Sequence, residues 1–157
     1  MSMPTYALFL CFAVMGDKID YNQVRNACRY MPIVLEESHK NNLDPLLLAA
    51  IIEVESDWRT NVESSAGACG LMQVIPRWNP RKDGNLHTCR NLKNPRVGIA
   101  AGAKALRRWL NKANGNVVTA LCAYNAGNVC FHRVRGDYVH KVLDSYRKFL
   151  DNARELS

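Results

Sequence analysis

The run Leu46-Leu-Leu-Ala-Ala-Ile-Ile-Glu-Val-Glu-Ser56 carries two glutamates two residues apart and is followed by Asp57. Read as a helix at about 100° a residue, Glu55 falls in the middle of the stripe set by Leu48, Ile51 and Ile52. Glu53 and Asp57 fall on the opposite side, towards water. A carboxyl at the end of an apolar stripe loses the hydration of its charged form, so its pKa rises and it can donate a proton near neutral pH. The same position suits a glutamate that rims the core or pairs with an arginine, and the wheel alone does not choose between them. Two Cys/His pairs, His87-x-Cys89 and Cys130-x-His132, offer four ligands for a tetrahedral zinc, but zinc pairs usually span longer gaps, and neither metal nor cofactor is expected. No Gly-x-Ser-x-Gly elbow is present to support a serine nucleophile.

The elements that must hold these residues are helical. Asp44-Pro45 supplies an N-cap and a proline at the first helical position for the helix that ends near Ser56, and Asn94-Pro95 does the same for a helix to about Asn111. A first helix is expected over about 21–41 with a break near Pro32. Another is expected over Asn116 to Asn125 with Gly127 as its terminator, and a last one capped by Asp137, with Tyr138, Val142, Tyr146 and Phe149 on one face. Gly67 to Gly70 reads as a turn, Leu71 to Ile75 as a short helix stopped by Pro76, and 77–94 as a surface loop. No segment alternates with period two for long enough to demand a sheet, so the fold class is all-α with at most a minor β element. At 157 residues and 48% hydrophobic content the chain can bury a core as one domain, which argues against disorder. The apolar run Tyr6 to Gly16 is too short to span a bilayer. It is read either as a signal or export segment, leaving residues 17–157 as the domain, or as a helix packed on that domain.

Three motifs in order give the chain a resemblance. Glu55-Ser56 at a helix end, Gly67-Ala-Cys-Gly70-Leu71-Met72-Gln73 with Pro76 after it, and Ala123-Tyr124-Asn125-Ala126-Gly127, with Tyr138-Val139 on the last helix, resemble the soluble lytic transglycosylase (SLT) family. That family belongs with goose-type lysozymes in glycoside hydrolase family 23, and the likeness runs from about Leu43 to Phe149. It implies a lysozyme-like helical domain that cleaves the β-1,4 bond between N-acetylmuramic acid and N-acetylglucosamine of peptidoglycan and leaves a 1,6-anhydromuramoyl product. Glu55 is then the single acid and base. Tyr124 and Asn125 line the cleft, Met72 and Gln73 form another part of it, Ser56 helps position the acid, and Tyr138 packs or hydrogen-bonds nearby. The chain departs from the family in having Val134 where many members have a glutamate, Gly98 before Ile99 where an asparagine is usual, and Ala105 before Leu106 where an aromatic is usual. The last two are read as changes in core packing. Goose-type lysozymes use aspartates to position water, and Asp57 or Asp137 is the candidate for that alternative. A non-catalytic glycan-binding relative is a further one.

Charge and cysteine content bear on partners. The chain carries 21 Lys+Arg against 14 Asp+Glu, and residues 77–112 alone hold ten of the basic residues and one acid, Asp83. An anionic partner should meet that middle third. Peptidoglycan carboxylates satisfy this, and nucleic acid is not expected because Trp78 is the one aromatic in the basic loop. Six cysteines suggest an oxidising compartment: export to the periplasm or cell envelope, or delivery to the wall by a phage. Cys89 and Cys130 are read as disulfide candidates or inert thiols, and Cys69 with Cys122 as another pair. The protein is expected to act as a monomer on glycan strands, serving an envelope-spanning secretion or conjugation machine, a phage particle, or wall remodelling.

Overall fold

The computed structural model describes residues 2–18, 20–134 and 136–157. Among them lie seven α-helices: α1 Met3–Met15, α2 Tyr21–Lys40, α3 Pro45–Ser56, α4 Cys89–Leu92, α5 Pro95–Lys112, α6 Val117–Ala126 and α7 Gly136–Glu155. Two 3-10 turns, Pro76–Trp78 and Gly127–Phe131, complete the set. The β content of the described residues is two isolated antiparallel bridges, Glu63 to Cys69 and Cys69 to Val74. The all-α reading holds. No helix is long and apolar enough to cross a membrane among the described residues.

The cap signatures mark real helix starts. The Asp44 carboxylate accepts from the amides of Leu46 and Leu47, and the Asn94 side chain accepts from those of Arg96 and Val97. Each satisfies donors that the first helical turn leaves open. Pro32 does not break α2, which runs unbroken over twenty residues. Its apolar face against the core outweighs the one lost amide bond. Asp137 lies inside the first turn of α7 rather than capping it.

Helix α3 is the centre of the fold. It packs on α7, α2 and α1, and Leu46 to Ile52 are all buried. The one-sided wheel is therefore the wrong picture for this helix, because neighbours surround it. Glu53, expected in water, instead lies half-buried with its carboxylate 2.7 Å from Lys18 Nζ. Asp57 is no longer helical. It sits at the C-cap in the left-handed region with φ 52°.

Two further expectations change. Residues 71–75 form no helix but a tight turn whose ends are joined by paired amide bonds between Cys69 and Val74. The stretch 77–94 contains α4, four residues capped by a reciprocal pair of bonds between Thr88 and Asn91. The apolar N-terminal run is helix α1, with Ala7, Leu10, Cys11, Ala13, Val14 and Met15 buried.

Three disulfides tie these elements together: Cys11 to Cys28, Cys69 to Cys89 and Cys122 to Cys130. The pairing of Cys69 with Cys122 is thus corrected. Cys69 meets α4, while Cys122 closes on the turn that directly follows its own helix. No cysteine among the described residues is free. The two Cys/His pairs considered for zinc are ruled out as a site, because Cys89 and Cys130 belong to different bridges and offer no thiolate.

Candidate active site

A cleft of about 770 Å³ runs across one face of the molecule. The end of α3 contributes Glu55, the turn after Gly70 contributes Gln73, and the end of α6 contributes Tyr124 and Asn125. Trp78, Asn79, Arg108 and Trp109 line it from the basic segment. Glu55 is the one acidic residue among the described residues that line the cleft.

Glu55 is half-buried, and burial pushes its carboxyl up to about 7. The Tyr138 hydroxyl opposes that rise more weakly by favouring the ionised form. This hydroxyl is buried without a partner at hydrogen-bond geometry, so its contact with Glu55 is a loose one. Burial of the tyrosine and the nearby Glu55 charge hold both Tyr138 and Tyr124 far above the usual phenol range, as neutral donors. Replacing Tyr138 with Phe removes the one influence that lowers the Glu55 pKa. The alkaline limb of the activity profile should therefore move to higher pH, with the thermal midpoint little changed. A profile that keeps its position in the Y138F variant would mean that Tyr138 does not act on Glu55.

The remaining candidates divide between the cleft and its support. Tyr124 donates its hydroxyl to the Met72 carbonyl at 2.8 Å, which fixes the aromatic ring against the turn. Asn125 is exposed in the cleft. Gln73 has φ 47°, and its side-chain nitrogen donates to the carbonyls of Gly70 at 3.0 Å and Val62 at 3.2 Å. Met72, expected in the saccharide cleft, and Ser56, expected to help position the acid, both lie behind the cleft lining. Met72 is fully buried, in a place left by Gly102, where an added Cβ would stand 2.4 Å from its sulfur. Ser56 is also buried, and its Oγ lies 3.1 Å from the Ile52 carbonyl and 2.9 Å from the Leu71 carbonyl. Its hydroxyl clips the helix end that carries Glu55 to the turn that carries Gln73. These two residues position the site from behind.

Sequence reasoning found the cationic segment but missed the aromatic wall beside it. Trp78 is 63% exposed beside the cleft, with the Arg77 guanidinium 5.1 Å from its ring. Trp109 lies against Phe131 with ring centroids 6.2 Å apart, and Lys112 Nζ is within 6 Å of both rings. Exposed aromatic faces of this kind stack on the apolar faces of sugar rings and on cations. Trp109 also packs against the core from α5, and its place beside α6 shows the other role. Asp57 and Asp137, the candidates for positioning water, do not line the cleft. Asp57 is instead held by Gln23 and, at 3.9 Å, by Lys18.

The model of the transglycosylase SLT domain matches residues 32–142, most of the chain. The chain belongs to the transglycosylase SLT family. Its SLT domain is 38% identical over 90 residues to a transglycosylase of Enterobacteria phage PRD1, covering 57% of this chain and 32% of that protein. It is 36% identical over 89 residues to the endo-type membrane-bound lytic murein transglycosylase A of Klebsiella pneumoniae, covering 53% of this chain and 44% of that protein. An inactive mutant of the lytic transglycosylase Slt from Pseudomonas aeruginosa superposes on 88% of this chain with a TM-score of 0.61 at 26% identity, and the match takes in 24% of that larger chain. The SLT domain here thus spans less than half the length of each of these relatives.

Proposed function

We propose that the protein is a peptidoglycan lytic transglycosylase with Glu55 as its single general acid and base. The observation that carries this is a cleft with one carboxyl held near neutrality and no second acid lining it among the described residues. Ordinary glycosidases need two carboxylates, one to protonate the leaving oxygen and one to act as nucleophile or to activate water. One suffices when the substrate supplies its own nucleophile. Protonated Glu55 gives its proton to the glycosidic oxygen as the bond from C1 of the muramoyl residue to that oxygen breaks. The C6 hydroxyl oxygen of the same residue then bonds to C1, and its proton passes to the Glu55 carboxylate. The acid is regenerated and no water is consumed. Asn125 meets the N-acetyl group, Tyr124 lies beside the developing positive charge, and Trp78 and Trp109 stack on flanking sugars. The Klebsiella relative, a lytic murein transglycosylase by name, supports the same substrate.

Three disulfides support action in an oxidising space outside the cytoplasm, at the periplasm, the envelope or the wall met by a phage. In this reading residues 1–16 either direct that export or remain as α1. Removing them would separate Cys11 from Cys28. The partner is an envelope-spanning machine or a phage particle.

Mass spectrometry of muropeptides released from purified sacculi tests the assignment. Anhydromuramoyl ends, one water lighter than reducing ends, are expected. Reducing muramic acid ends would overturn the lyase reading and make the protein a goose-type muramidase, and no release at all would leave a glycan-binding relative.

A further inference from the structure

Beside the cleft, on the other side of Ala105, lies a second cavity of about 900 Å³ lined largely by the basic segment. Asn79, Ala105 and Arg108 line both spaces, so the two adjoin. Ala105 has no side chain beyond its Cβ and so adds little bulk to the boundary between them.

The charges around this annex divide sharply. Lys40 and Arg96 are held by Glu36 and Glu37, and Arg81 by Asp83. Lys82 and Lys104 meet no carboxylate among the described residues, and Arg108 bonds only neutral acceptors, the Trp78 carbonyl at 3.4 Å and Asn79 Oδ1 at 3.1 Å. Lys104 and Arg108 stand one turn apart on α5, a like-charge spacing that costs the isolated helix stability. His87, on the same wall, is held below the usual imidazole range by its burial and then by Arg81, with Lys104 adding to the effect. The annex therefore concentrates positive charge that the protein leaves unneutralised. Such an arrangement favours an anion that arrives with the ligand.

We propose that the annex binds the carboxylates of the peptide substituent on the muramoyl residue while the glycan lies in the cleft. This rests on the peptidoglycan reading above and specifies which form of the polymer is preferred. A glycan backbone whose lactyl groups are amide-linked to peptide is itself uncharged, so the anionic groups are those that branch from it. A branch leaving the strand beside Ala105 enters the annex directly, within reach of Lys104 and Arg108 from α5 and Lys82 from the loop.

The test compares wild type with the K82A/K104A double variant, whose residues lie outside the catalytic cleft. Three substrates separate the sources of negative charge: strands with peptides and no wall polymer, strands stripped of peptides by an amidase, whose remaining anions are the short lactyl carboxylates on the sugar, and stripped strands that keep a phosphate-rich wall polymer. On peptide-bearing strands KM should rise about tenfold in the variant with kcat little changed, as expected for loss of two partly exposed charge contacts. On stripped strands the two proteins should agree within about twofold. An equal loss on all three substrates, no loss on peptide-bearing strands, or a loss confined to the polymer-bearing strands would each overturn the proposal. Co-sedimentation of wild type with the same strands separates it from the lytic reading. Peptide-dependent, charge-dependent binding without cleavage would sink the lytic assignment while supporting the annex.

Discussion

Glu55→Gln should lower turnover by about a thousandfold or more while making the folded protein more stable at pH 8 and leaving it unchanged at pH 4. Loss of the proton donor removes a contribution of about 100-fold to 10,000-fold by itself, and here the same group also has to take the second proton. The stability effect follows from the raised pKa. An unfolded carboxyl titrates near the ordinary value of 4.5, whereas the folded one titrates at about 7. Below pH 4.5 both states hold the proton and Glu55 costs nothing. As pH rises from 4.5 to 7 the unfolded chain releases its proton and the folded chain cannot do so as easily, so stability falls. Above 7 the cost levels off at about 3 kcal/mol. Glutamine keeps the shape and never pays for ionisation, so calorimetry should show a gain for the variant that vanishes on the acid side of that window. Glu53→Gln is the control: it breaks the ion pair with Lys18, should cost up to about 1 kcal/mol, and should leave lysis intact. Lytic activity surviving in E55Q would remove Glu55 from its role.

That candidate was legible in the sequence, though partly for a reason the structure revises. Glu55 is desolvated as expected, but α3 is buried nearly all round, and a wheel built on one buried stripe misplaces Glu53. The helix starts at Asp44-Pro45 and Asn94-Pro95 were readable because capping is local chemistry within three residues. The turn 71–75 was not, because it is made from afar. Tyr124 holds the Met72 carbonyl, Gly102 makes room for the Met72 side chain, and Ser56 bonds the Leu71 carbonyl. Five apolar or amide residues before a proline resemble a short helix until those contacts are known. The same limit hid the roles of Trp78 and Trp109, which are thirty-one positions apart in the chain and become neighbours only in the cleft. Charge showed that an anion should meet residues 77–112, but only the fold distinguishes Arg81, Lys93 and Arg96, which pair with carboxylates, from Lys82, Lys104 and Arg108, which line the annex without one among the described residues.

Gly70→Ala should unfold the cleft wall, lowering stability by about 3 to 5 kcal/mol and activity with it. Gly70 has φ +76°, in the left-handed region, which costs an alanine about 1 to 2 kcal/mol. The larger part is steric. A Cβ on Gly70 would stand 2.2 Å from the Leu92 carbonyl oxygen and 2.9 Å from its carbon, an overlap with backbone rather than with a side chain that could turn away. That carbonyl is confined on its other side as well, since a Cβ on Gly98 would approach the same oxygen to 2.4 Å. The Cys69 to Cys89 bridge joins the residue before Gly70 to the start of α4, so the turn and the short helix cannot separate to relieve the strain. Displacing Gly70 also removes the carbonyl that accepts from the Gln73 amide and side chain, and with it the support for Gln73 in the cleft. Gly67 separates the two causes. It has φ +79° but open space around its Cβ position, so Gly67→Ala should cost only the conformational part, about 1 to 2 kcal/mol, and leave kcat near wild type. Denaturant unfolding of both variants decides the matter, and equal losses at 67 and 70 would mean that backbone conformation alone, without the Leu92 carbonyl, demands glycine at 70.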